Sequence, residues 1–279
     1  MKNMKTMNKL FTIIFYLTIG TTLCFSQQTE IINFSYSLPE GSLFKMKFKI
    51  DNNGTMKIRG TEAEMAAIKK AGYNKDRKVQ YSMSATISMK TEKKINGSLP
   101  FQFTFDQLEQ NINSDGKRNN QSLSLSDFPI AGEFKNGQYN ITSILNVGNA
   151  QQEAFIKSLP KNFISNETFI PQIKIGEQFT IKKEISTNEF KSVAQYIYTL
   201  KSIENNIAIF DIKIKIISNT NSKIKISGQG SGIMKYNIGK KYAISESTSF
   251  VYTGIQQEKS YNITGQSAAE SSLDIELLE

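Results

Sequence analysis

Histidine and tryptophan are absent from the 279 residues, and cysteine occurs once, at Cys24. Without imidazole there is no Ser-His-acid triad, no ordinary general base near neutral pH and no histidine metal ligand. A long apolar run is missing as well. The longest stretch, Leu10 to Leu23, has 14 residues, short of the about 20 that cross a bilayer. It follows Lys2, Lys5 and Lys9 with no acid among them, the order of a charged n-region and an apolar h-region, so residues 1–26 read as a cleavable signal peptide. Cleavage after Ser26 puts Cys24 and Ser26 at the −3 and −1 positions and leaves Gln27 as the new terminus. The mature chain then holds neither Cys nor His, which excludes disulfides, cysteine nucleophiles and the common zinc and haem ligand sets.

Cys24 permits one alternative, a lipid anchor at the end of the h-region. Thr21 and Leu23 stand where a lipobox wants Leu and a small residue, so cleavage near Ser26 is the preferred reading. The expected location is the periplasm or the medium.

The formal charge is +9, and loss of the three leader lysines leaves the mature chain at +6. Lysines alternate with apolar residues, as in Lys45, Lys47 and Lys49 or Lys213 and Lys215, which places them on one solvated sheet face. Such mild, dispersed basicity gives no sign of nucleic-acid binding. A lipid, a glycan or an envelope protein is the expected partner class. Sequons such as Asn53-Gly54-Thr55 and Asn262-Ile263-Thr264 arise readily in so Asn-rich a chain and matter only where a host glycosylates.

Period-two alternation dominates the rest. Ser42 to Ile50 carries Phe44, Met46, Phe48 and Ile50 on one parity, and Asp51-Asn52-Asn53-Gly54 follows it. Asn-Gly suits a tight hairpin turn whose central residues both need positive φ, so Met56 to Arg59 is expected as the returning strand. Further strands are expected at Val79–Lys90, Leu99–Phe105, Gly137–Leu145, Gln178–Glu184, Val193–Ile203, Ile207–Ile217, Lys223–Asn237, Ala243–Thr253 and Glu258–Ile263. Asn205-Asn206 and Asn237 to Lys240 are expected turns. Two segments favour helix: Glu62 to Ala71, capped by Thr61 with Glu64 at the capping-box position, and Ala150 to Ser158, capped by Asn149 and stopped by Pro160. The expected fold is mainly β, an antiparallel meander forming a curved sheet or open half-barrel, with two short helices covering an end or edge.

The openings Gly41-Ser42-Leu43-Phe44 and Gly176-Glu177-Gln178-Phe179 each follow a proline segment, Leu38-Pro39 and Ile170-Pro171, and each precedes a Val-then-Tyr strand. Two similar β-rich halves, residues 27–148 and 171–279, joined by a helical linker at 149–170, are therefore one architectural reading, with a single irregular sheet as the other.

Ile170-Pro171, Ile175-Gly176-Glu177-Gln178-Phe179, the Tyr196 to Ile216 hairpin and Gly228-Gln229-Gly230-Ser231-Gly232 together resemble a family of uncharacterised exported β-rich domains of Gram-negative bacteria. That family opens on proline followed by Val/Ile-Gly-Asp/Glu-x-aromatic and carries a late Gly-x-Gly-x-Gly strand. Here Glu177 replaces the usual Asp and Phe179 the usual Trp. The resemblance covers about residues 165–255, and more loosely 36–145. It implies a half-barrel similar to the periplasmic lipoprotein carriers and implies no activity.

Few residues offer chemistry. A glycosidase needs only two carboxylates across a cleft, and Glu40, Asp106, Glu109, Asp127, Glu133, Glu177, Glu184 and Asp211 qualify by type alone. The Gly228 to Gly232 run lacks the Lys-Ser/Thr and the helix of a phosphate loop and reads as a bend or a close backbone approach. Asp51 to Gly54 lacks the glutamate of a calcium loop. The sequence thus assigns no catalytic residue, metal or cofactor. It favours an exported, non-catalytic domain binding a lipid or another apolar or anionic envelope ligand, ahead of a structural envelope component or a carboxylate hydrolase.

Overall fold

The computed structural model describes residues 26–28, 31–33, 38–70, 76–115, 117–135, 138–144, 172–186, 191–218, 224–257 and 261–278. Residues 1–25 of the expected leader and the helix expected at 150–158 lie outside them. Among the described residues, fourteen strands and one helix follow in chain order. The short strands β1 (Ser26–Gln28), β2 (Ile31–Asn33) and β8 (Gln172–Ile173) form a small sheet. The long ones are β3 (Leu43–Gly60), β4 (Asp76–Thr91), β5 (Leu99–Ser114), β6 (Lys117–Lys135), β7 (Gln138–Ile144), β9 (Gln178–Ser186), β10 (Lys191–Glu204), β11 (Ile207–Ser218), β12 (Ile224–Asn237), β13 (Tyr242–Gln257) and β14 (Tyr261–Leu277). They make one antiparallel sheet in the order β7-β6-β5-β4-β3-β14-β13-β12-β11-β10-β9. Two meanders, β3–β7 and β9–β14, are thus fused where the last strand pairs with the first long one, Leu277 opposite Phe44 and Tyr261 opposite Gly60. The sheet is open, with β7 and β9 as its edges.

The mainly β expectation is met, and one of its details is corrected. No turn forms at Asn53-Gly54, because β3 runs unbroken for 18 residues. Phe44, Met46, Phe48, Ile50, Asn52, Met56 and Ile58 all point inward and are buried. Even parity therefore persists straight through the Asp-Asn-Asn-Gly segment. Asn53 faces Gln80 on one side and Ala268 on the other, and ladders on both flanks override a local turn preference. The polar side chain that this buries has partners: Asn52 Nδ2 donates to the Tyr252 hydroxyl at 3.0 Å, and the Ser267 hydroxyl donates to Asn52 Oδ1.

Other local signals hold. Helix α1 (Glu62–Lys70) begins after Thr61, whose backbone N–H donates to Glu64 Oε2 at 2.8 Å, the reciprocal arm of a capping box. Asn205 and Asn206 both adopt positive φ, 51° and 65°, and join β10 to β11 by a two-residue turn. The two parallel openings share a plan: Gly41 and Gly176 have positive φ and each precedes a buried inward phenylalanine, Phe44 and Phe179.

The inner face forms one apolar cluster spanning the whole sheet, and a glycine seam explains how a sheet this wide buries one face. On β12, Gly228, Gly230 and Gly232 share inward parity with Ile226 and Met234 and stand opposite Tyr252, Phe250 and Thr248. A Cβ at Gly230 would lie 2.2 Å from the Cβ of Phe250, and one at Gly228 2.6 Å from that of Tyr252, where facing Cβ atoms normally stand about 4.5–5.5 Å apart. The backbone approach expected of this motif is therefore real, and it curls the sheet inward along β12. Gly132 does the same work on β6, where the Phe101 ring lies 2.5 Å from the position a Cβ would take.

Candidate functional site

Among the described side chains, the residues the sequence offers for chemistry are each engaged locally or stand apart on the surface. Glu40 accepts from the Lys94 N–H, Asp106 from the Ser88 hydroxyl, Glu109 from Gln107 and Glu133 from the Ser98 hydroxyl, and Asp211 pairs with Lys201 at 3.4 Å. Glu184 stands exposed on the edge strand β9, and the side chain of Asp127 lies outside the described residues. Glu177 closes a turn: its carboxylate accepts the Lys174 N–H at 2.9 Å, and its own N–H donates to the Lys174 carbonyl at 3.0 Å. This gives the Gly-Glu-x-aromatic opening a structural meaning. Gly176 supplies the positive φ, Glu177 seals the turn, and Phe179 stacks on Tyr198 at 4.9 Å with its edge neighbour Phe210 at 6.1 Å.

One acid missed by sequence reasoning is unlike the others. Glu246 lies on the inner face of β13, is 4% exposed, and its Oε2 has no hydrogen-bond partner. Burial holds its pKa well above the ordinary carboxyl value, and the Lys183 ammonium on β9 pulls it partly back. Lys183 also sits 5.6 Å from the centre of the Tyr196 ring, a cation–π distance. Burial, and then the Glu246 charge, raise the Tyr196 hydroxyl pKa. The only sequence signal for this cluster is parity: Glu246 shares its face with Thr248, Phe250 and Tyr252.

The open concavities lie on the other face. A groove of about 800 Å³ is lined by Asn53, Thr55, Lys78, Gln80, Asn113, Val251, Gln266 and Ala268 among others. A second, of about 350 Å³, shares Asn53, Gln80 and Asn113 and adds Asp51, Ser82 and Asn111. A third, of about 460 Å³, shares Asp51 and continues through Glu270, Ser272, Ser249, Ser247 and Ser231. The three make a trench that crosses the strands from β5 through β4, β3, β14 and β13 to β12. At about 4.8 Å per strand, five steps span roughly 24 Å.

Register explains the lining. Asn53, Gln80 and Asn113 stand directly opposite one another on three successive strands, and Asn113 Nδ2 donates to Gln80 Oε1 at 3.1 Å. Asn113 Oδ1 is buried without a partner. Small side chains form the floor, and the longer Lys49 and Lys78 flank it. Lys49 holds Asp51 at 2.6 Å, and that carboxylate raises the lysine's pKa.

No family model and no curated protein matches the chain. Among solved structures it is similar to an outer membrane channel from Pseudomonas putida F1, at 6% identity and a TM-score of 0.26, covering 86% of this chain and 97% of that one. It is also similar to a mutant porin from Rh. blastica, at 9% identity and a TM-score of 0.21, covering 82% and 99%.

The faces of this sheet have the opposite polarity to those of a membrane barrel, whose lipid side is an apolar band. The exposed side of β3 carries Lys45, Lys47, Lys49, Lys57 and Arg59, and Lys45 and Lys47 face Glu276 and Asp274 on β14. A lysine at the bilayer midplane costs about 2–4 kcal/mol, so this face belongs in water. No helix among the described residues is long and apolar enough to cross a membrane.

Proposed function

We propose that the protein is an exported, non-catalytic binding component of the cell envelope, and that its ligand seat is the polar trench, where it takes a hydroxyl-rich glycan. The observation that carries this reading is the row Asn53–Gln80–Asn113, three amides in register on the floor of a trench long enough for several sugar rings. Amides donate and accept at once, as a sugar hydroxyl does. The inner face supports an apolar ligand less well, because its apolar side chains are already used in the core, at 0–7% exposure. The non-catalytic part of the reading rests on the missing imidazole and on the dispersal of the carboxylates.

Affinity electrophoresis of the mature chain through gels containing neutral or acidic polysaccharides tests it. Retardation by at least one glycan is expected, and Gln80→Ala with Asn113→Ala should weaken it roughly tenfold, the loss of about one well-placed hydrogen bond. Equal retardation of wild type and variant, or none in any gel, overturns the trench as the seat.

A further inference from the structure

The strand register places several connections at one end of the sheet. Leu43 pairs with Lys90 and Leu277 with Phe44, so the β4–β5 turn leaves from the end where β3 begins and β14 stops. Ile207 pairs with Asn237 and Thr199 with Gln178, so the β12–β13 turn and the turn before β9 leave from that end too. These turns carry a repeated chemistry: Lys93-Lys94-Ile95, Lys174-Ile175 and Lys240-Lys241.

The two isoleucines are 62% and 59% exposed, the most exposed of the large apolar side chains described. Their turns are stiff. Ile95 and Ser98 exchange both backbone hydrogen bonds, at 2.8 and 2.9 Å, around Asn96 and Gly97, both at positive φ. The turn at Ile175 is closed by Glu177 N–H to the Lys174 carbonyl at 3.0 Å. Each of these two ordered turns thus holds an isoleucine out into water beside a lysine. Of the acids at this end, Glu40 pairs with Lys94 and Glu92 with Lys90, Glu276 stands opposite Lys45, Glu177 accepts the Lys174 N–H, and Glu204 accepts the Ser202 hydroxyl. Lys93, Lys174, Lys240 and Lys241 stand exposed.

From this juxtaposition we infer that this end of the sheet docks on the surface of an anionic phospholipid bilayer, with Ile95 and Ile175 entering the interface and the turn lysines lying among the headgroups. Apolar tips ringed by lysine are the chemistry of interfacial binding, where hydrophobic insertion and attraction to anionic lipid act together. The lysine-bearing strand face stays in water, and the trench on it stays open to a glycan.

Flotation of the mature chain with phosphatidylcholine vesicles, with and without phosphatidylglycerol, decides it. Binding is expected only to the anionic vesicles and should fall with salt. Ile95→Ser with Ile175→Ser should reduce it about tenfold or more. Both positions are exposed, so thermal melting and any glycan retardation of the variant should match wild type. Absence of binding, equal binding to both vesicle types, or full binding by the double variant overturns the inference.

Discussion

Lys183 and Glu246 are separated by three intervening strands in the sheet and are electrostatic neighbours in space. In a flat sheet the four steps from β9 to β13 would hold them about 19 Å apart. The inward curl along the glycine seam of β12 brings them within range, so a carboxyl with an unpartnered oxygen sits inside the bend that the glycines make.

That placement fixes the sign of a pH effect. Burial raises the Glu246 pKa in the folded state, so the fold binds its proton more tightly than the unfolded chain does. The stability tied to this proton is fully present below the ordinary carboxyl value of 4.5 and is lost as pH rises through the folded value. Glu246→Gln cannot ionise, so it should raise Tm relative to wild type at pH 8, with the difference shrinking toward pH 4. Lys183→Met should lower Tm at pH 8 in the wild-type background and have little effect in the Gln variant. Thermal melts across that range check both, and a Gln variant with unchanged pH dependence would remove Glu246 as the cause.

The seam itself predicts a steep asymmetry between neighbours. Gly230→Ala puts a methyl 2.2 Å from the Phe250 Cβ and 2.5 Å from the Ser249 carbonyl oxygen. Neither atom is the end of a flexible side chain. The bend must relax or β12 must leave its register, a cost of about 3 kcal/mol or more. Ser231→Ala, one residue on and facing out, should stay within about 0.5 kcal/mol. Urea unfolding of the pair measures the contrast.

Much of this fold was legible because inward and outward residues differ sharply. The lysines of β3 and β11, the Asn205-Asn206 turn and the Thr61–Glu64 cap each announce themselves locally. Strand β6 did not, for its polar run Lys117 to Ser122 hides the alternation and Pro129 reads as a breaker. The structure seats that proline within a register shift, where Phe103 pairs with Ile130 and Phe105 with Leu125, one of the few places in a sheet that tolerates it. The trench was not legible at all. Its lining comes from six strands, and only the cross-strand register brings Asn53, Gln80 and Asn113 into one row.

Asn52 offers a cleaner energetic test. Removing its amide by Asn52→Ala takes one hydrogen bond from each of two buried hydroxyls, Tyr252 and Ser267, while Ser267 keeps the Asn53 carbonyl at 3.1 Å, a cost of about 1–3 kcal/mol over the two bonds. Tyr252→Phe removes one of the two hydroxyls that lose a partner. The double variant should therefore be less destabilised than the sum of the singles, by about 1 kcal/mol in a double-mutant cycle. Strict additivity would mean that the two side chains do not depend on each other.

Asn53 separates a strand from a turn by the sign of one measurement. A hairpin at Asn53-Gly54 would need positive φ at both residues, and a β-branched replacement there would destabilise by about 1–2 kcal/mol. In the structure neither residue has positive φ, and Asn53 is an exposed position in the middle of an 18-residue strand. Threonine favours such a site over asparagine on a scale that spans about 1 kcal/mol. Asn53→Thr should therefore raise stability by about 0.5 kcal/mol in urea unfolding. Because Asn53 also lines the trench, the same variant should weaken glycan retardation, so stability and binding move in opposite directions from one side chain.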